Sequence, residues 1–282
     1  MANFATFQSK GGTGKSTVSQ QCLATYNLAR FDESKIFEFD DQNLDSEYMD
    51  QSMIEAKQVL LGDQPDQFHT AVASALPFDA KNVVLDVGGN RTTKIVIDQL
   101  EMLTGRTEQL DAIAIPISDN RMGPKNAEKT LAMIKSTMDS DLLLAKCFLV
   151  LNRVRAKGIT SIDNPSIQSR YRNVHRLAKK WKLPVLIIEE MDGIENLAVT
   201  GKTIYELQPL HKSLIKTFVE KAKKAFDEED NETVMAMDDL QFAVNNACKN
   251  YWPVIQSTHN QLDKILDTIA KKVASLESTE EA

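Results

Sequence analysis

Residues 9–17 read Ser9-Lys10-Gly11-Gly12-Thr13-Gly14-Lys15-Ser16-Thr17. They follow an apolar run at 3–8 that reads as a strand, and they open a helical pattern over 15–30. A chain that turns this tightly between strand and helix can wrap its backbone around phosphate oxygens. Gly11, Gly12 and Gly14 let amide N–H groups approach, Lys15 supplies a point charge and Ser16 a hydroxyl for Mg²⁺. Thr13 and Thr17 complete the loop, and the helix N-terminus adds its dipole. The strict pattern Gly-x4-Gly-Lys-Ser/Thr fails only at its first position, where Ser9 stands.

Outward from this loop, strand-length apolar runs alternate with helical patterns. Runs at 35–39, 82–87, 111–117, 146–152 and 183–188 read as strands, with helices over 92–103 and 122–137. Short, doubly apolar strands separated by helices predict an α/β fold: a mostly parallel twisted sheet with helices on both faces. Such sheets bind ligands at the carboxyl ends of their strands. A long helix is expected over 205–226, then a polar acidic break at 226–233, then helical sequence interrupted at Pro253. We therefore expect a nucleotide-type α/β domain at 1–226 and an acidic helical extension at 227–282.

The departure at Ser9 is informative, because Lys10 precedes the double glycine. Lys-Gly-Gly-x-Gly-Lys-Ser/Thr resembles the deviant phosphate loop of the ParA/MinD family of P-loop ATPases, and ParA-type DNA partition ATPases in particular. The resemblance implies ATP and Mg²⁺ as cofactors and a nucleotide-dependent homodimer. It implies that Lys10 reaches the partner's phosphates as a charge-stabilising finger. Phe37-Glu38-Phe39-Asp40-Asp41-Gln42-Asn43 resembles the family's first switch, which assigns Asp40 to orient the attacking water. The departures there are Glu38 for an aspartate and Asp41 for a proline. Val83–Asn90 resembles the strand and second switch that hold Mg²⁺ through Asp86, with Gly88-Gly89 where many relatives carry a different sequence. Asn152 ends a strand, as does the family's asparagine that reads the adenine edge; it is equally a common turn residue.

Charge is uneven along the chain. The net charge of −7 argues against a protein that coats nucleic acid by bulk charge. The segment 227–282, however, holds twelve acids against four lysines, which leaves 1–226 slightly positive. Within 153–182 stand Arg153, Arg155, Lys157, Arg170, Arg172, Arg176, Lys179, Lys180 and Lys182 against Asp163 alone. This reads either as a DNA-contacting patch, as the ATP state of ParA-like proteins would use, or as a solvated helix face.

Ile255, His259, Leu262, Leu266, Ile269, Val273 and Leu276 follow a heptad seam broken only by His259. The seam predicts packing on a partner helix of this chain or another subunit, or core packing against 234–248. The three cysteines lack metal or cluster spacing and read as small buried hydrophobes. No apolar run is long enough to cross a membrane, no secretory leader is evident, and the acidic end would be repelled by an anionic surface. These features point to a cytoplasmic location, with nucleoid association in a DNA-bound state, and to no stable membrane association. Together they predict a DNA-segregating ATPase reset by a stimulating partner protein. The alternatives are a nucleotide-switched adaptor for a protein cargo and a small-molecule ligase, for which no substrate site is recognisable.

Overall fold

The computed structural model describes residues 1–8, 13–39, 49–61, 65–103, 105–118, 120, 122–137 and 140–280. Seven parallel strands form one sheet in the order β3-β2-β4-β1-β5-β6-β7. They are β1 (Phe4–Thr6), β2 (Lys35–Phe39), β3 (Glu55–Gln58), β4 (Val83–Val87), β5 (Ala112–Ile117), β6 (Cys147–Val154) and β7 (Val185–Glu189). The chain leaves β1 for β2, β3 and β4 on one side, then crosses to β5, β6 and β7 on the other. Strand order therefore reverses at β1, the point where open α/β sheets bind ligands.

Side chains alternate cleanly between two cores, as the pleat requires. Ala5, Leu85, Ile113 and Leu149 face one side, with α2 (Pro65–Ala75), α3 (Asn90–Met102), α5 (Gly123–Lys135) and α8 (Arg172–Trp181). Phe4, Val84, Ala112 and Phe148 face the other. There they meet a helix that begins as a wide π-helical stretch at Thr17–Ala24 and continues as α1 (Thr25–Phe31), together with the C-terminal helices. Short helices α4 (Arg106–Gln109), α6 (Ser140–Ala145) and α7 (Pro165–Arg170) complete the connections.

The C-terminal helices are α9 (Ile204–Asp227), α10 (Asn231–Asn246) and α11 (Trp252–Glu280). A capping box starts α9: Thr203 and Glu206 satisfy each other's backbone N–H groups. One expectation is corrected here. Pro253 does not interrupt the helix. Residues Ala247–Tyr251 form a π-helical turn in which the Trp252 N–H bonds the Ala247 carbonyl, and the helix runs on through Pro253. A wide turn directly before a residue that lacks an N–H absorbs the missing donor without a break.

The heptad seam finds its cover within this chain, on the sheet and on the helix after the phosphate loop. Ile255, Leu262 and Ile269 are buried in the core that covers the sheet's second face. His259 Nε2 lies 3.1 Å from Thr25 Oγ1, and Asp263 accepts from Tyr26 (2.8 Å) and Arg30 (2.5 Å). Gln261 pairs with both backbone groups of Ile187 in β7. Cys22 and Cys147 are buried and Cys248 half-buried, and burial pushes the Cys22 thiol up to about 12. No described helix is long and apolar enough to cross a membrane.

Candidate nucleotide-binding site

The glycine-rich loop lies at the carboxyl end of β1. Of its residues, Lys10, Gly11 and Gly12 fall outside the described residues, as does Asp40. Thr13 and Lys15 are both buried, Lys15 with 9% of its surface exposed. Gly14 takes φ +79°, a left-handed conformation that favours glycine, and a Cβ there would stand 2.2 Å from Asn152 Nδ2. The loop and the end of β6 therefore touch across the sheet edge.

Asn152 is 3% exposed. Its Oδ1 accepts from the Arg153 N–H at 2.9 Å, which leaves Nδ2 as the donor end of the amide, buried against Gly14. That Nδ2 has no hydrogen-bond partner among the described residues, and neither has Thr13 Oγ1. Unmet buried donors are costly, so a polar ligand is the natural partner for both. Beside Asn152 opens a cavity of about 370 Å³, lined by Thr17, Arg153 and the stretch Glu189–Glu195 that follows β7. The glycine-rich loop, the Asn152 amide and this cavity are therefore neighbours.

Behind the loop the polar side chains of the π-helical stretch reach the strands. Ser19 bonds Thr6 (2.9 Å) and Gln20 bonds Glu38 (3.1 Å). Glu38 and Asp86 are adjacent in the register of β2 and β4, and Asp86 also pairs in register with Thr6 of β1. Asp86 is 5% exposed. The structure thus brings Asp86 to the strand flanking the loop, one residue before the turn that leads to Gly88. Gly88 N–H bonds Phe39 O (2.8 Å), and the Thr93 hydroxyl donates to Gly88 O (2.7 Å), so the turn after β4 is tied to β2 and α3. Among the described residues no three His, Cys, Asp or Glu side chains cluster to bind a metal alone. Ser16 and Asp86 could complete a Mg²⁺ site together with phosphate oxygens.

The basic candidates divide into two groups. Arg153 lines the cavity beside Asn152, and Arg155 pairs with Glu190 at 2.8 Å on the same rim. Arg170, Arg172, Arg176, Lys179 and Lys180 lie on α7 and α8, where all are exposed. Lys180 pairs with Glu128 of α5 at 2.5 Å. A shallow cleft of about 280 Å³ between α5 and α8 adds Lys125 to Arg176 and Lys180, a neighbour that reading 153–182 alone did not include. The stretch Asp192–Glu195 was also missed in the sequence; Gly193 after an apolar run was its signal.

No family model and no curated protein sequence matches this chain. Solved structures do. MinD of Aquifex aeolicus is 13% identical with a TM-score of 0.50, covering 72% of this chain and 88% of its own. The Aquifex aeolicus MinC:MinD complex is 12% identical with a TM-score of 0.50, covering 85% of this chain and 95% of that one. The chain has the ParA/MinD fold. An ATP complex of a Cyanothece McdA variant is 13% identical with a TM-score of 0.49, covering 73% of this chain and 90% of that one. At these identities the two MinD structures show the architecture alone.

Proposed function

We propose that this chain is a positioning ATPase of the ParA/MinD type, which binds ATP with Mg²⁺ and is reset by hydrolysis. The observation that carries the reading is the buried Asn152 amide, its Nδ2 unmet among the described residues and turned toward Gly14 of the phosphate loop. Thr13, Gly14, Lys15 and Thr17, with Gly11 and Gly12, cradle the phosphates, and Asn152 donates to the base. Ser16 and Asp86 hold Mg²⁺, which offsets charge on the phosphates when bound. Asp40 orients the attacking water, and Lys15 with Lys10 steadies the charge that develops during phosphoryl transfer, Lys10 acting across a nucleotide-dependent homodimer.

The cargo in this reading is DNA, met by the exposed cations of α7 and α8, and a stimulating partner protein sets the rate of hydrolysis. Support comes from Arg172, Arg176 and Lys179, exposed on one amphipathic helix whose opposite side, Val174 and Leu177, is buried. The pairing of Arg155 and Lys180 with acids favours a second reading, an adaptor for a protein cargo, because paired cations contribute less to phosphate binding.

The test is ATP-dependent dimerisation and DNA binding of the full chain. Both are expected in the wild type and lost in Lys15→Ala. Dimerisation with ATP but no DNA affinity at moderate salt selects the adaptor. Hydrolysis by Asp40→Ala at the wild-type rate overturns the role of Asp40.

A further inference from the structure

One wall of the cavity beside Asn152 is a loop that the C-terminal helices hold from behind. Gly193 in that loop has φ +76°, and a Cβ there would lie 3.0 Å from Asn196 Nδ2 and 3.7 Å from Tyr251 Oη. The Tyr251 hydroxyl donates to the carbonyl of Asp192, the neighbouring lining residue. Tyr251 is 6% exposed and packs in the same core as Ile188, Met191 and Leu197. Burial, then the charges of Glu195 and Asp192, raise its pKa above the usual phenol value, so it remains a donor.

Tyr251 reaches this loop from within the π turn. It is the last residue of Ala247–Tyr251, where the Trp252 N–H reaches back to Ala247. One residue more than an α turn needs changes the helical phase by about 100°. The extra residue sets how the side chains before the turn face relative to those after it. Wide turns of this kind recur beside functional sites.

We propose that Tyr251 is a positioning residue for the nucleobase: its hydroxyl fixes the Asp192–Gly193 wall against which the adenine of ATP rests. The C-terminal helices are thereby part of the nucleotide site. The cavity suits this base, since Asn152 Nδ2 offers a donor to a ring nitrogen and the wall's carbonyl and carboxylate oxygens offer acceptors to the exocyclic amine. The inference rests on reading this cavity as the base pocket.

The experiment compares ATP, GTP and inorganic tripolyphosphate binding to full-length wild type, Tyr251→Phe and Gly193→Ala, with saturated hydrolysis rates measured alongside. Tyr251→Phe keeps the ring and removes one hydrogen bond, so ATP binding weakens about fivefold. Tripolyphosphate affinity and the saturated rate stay unchanged, and the preference for ATP over GTP narrows. Gly193→Ala strains the same wall and also weakens ATP binding while tripolyphosphate affinity is kept. Unchanged ATP affinity in Tyr251→Phe, or an equal loss for tripolyphosphate, overturns the role of Tyr251. If wild type binds ATP no more tightly than tripolyphosphate, the base-pocket reading itself fails; that outcome is distinct, because it needs no variant.

Discussion

Asn152 at the end of β6 and Gly14 in the phosphate loop are in such contact that a single methyl on Gly14 would overlap the asparagine amide, at 2.2 Å from Nδ2. Two segments 138 residues apart in the sequence thus form one surface. Removing Nδ2 should cost the base and leave the phosphates. We expect Asn152→Ala to weaken ATP binding about 5- to 100-fold, the worth of one buried donor, with tripolyphosphate binding unchanged in isothermal titration. Gly14→Ala, which also violates the left-handed φ, should lose both.

Removing the C-terminal helix should unfold the protein and not trim an accessory. Ile255, Leu262, Ile265 and Ile269 lie in the core under the sheet. Burial of each is worth about 1.5–3 kcal/mol, so together they rival the roughly 5–15 kcal/mol that keeps a typical domain folded. A chain ending at 251 is expected to be insoluble or to lack a cooperative thermal transition; a soluble, cooperatively melting fragment would contradict the packing.

His259 makes stability depend on pH. Burial, and then the nearby Arg30 charge, lower its pKa to about 4. The Thr25 hydroxyl gives its proton to the Gln21 carbonyl at 2.6 Å, so the neutral ring donates through Nε2–H. In the unfolded chain the ring titrates near ~6.5. Between these values the unfolded state binds the proton and the folded state does not. The contribution is therefore complete above about pH 6.5 and lost as pH falls toward the folded value. From pH 7.5 to pH 5 the loss is about 2 kcal/mol. Denaturant midpoints of wild type should fall across that interval by more than those of His259→Gln.

The exposed face of α8 gives the DNA reading its sharpest number. Arg172→Glu with Arg176→Glu should reduce ATP-dependent DNA affinity at least tenfold and lower the slope of log affinity against log salt by about two. ATP binding should be unaffected. An unchanged salt slope would remove α8 from the interface.

The sheet was readable because its strands are buried on both faces, which makes runs such as Ala112–Ile117 apolar throughout. Strand β3 escaped notice for the opposite reason. It lies at the sheet edge, and Glu55-Ala56-Lys57-Gln58 has no β-branched residue and only partial burial. The phosphate loop announced itself through local spacing, since one tight turn supplies most of its groups. The cavity beside Asn152 did not, because Asn152, Gly193 and the Tyr251 that backs it come from three distant segments joined only by tertiary packing. The heptad seam was legible as an apolar stripe, but which surface it meets was not. A stripe records that a helix is covered, and the cover here is a sheet and the helix after the phosphate loop.

The place of α11 also sets an order of events during synthesis. Ribosomes release the N-terminal strands first, yet the sheet's second face is covered only in part, by Thr17–Phe31, until the C-terminal helices have emerged. The glycine-rich loop is made among the first residues, while the tyrosine behind the cavity follows more than two hundred residues later. The wall at Asp192 is therefore buttressed only after Tyr251 has been made, long after the strands beside it.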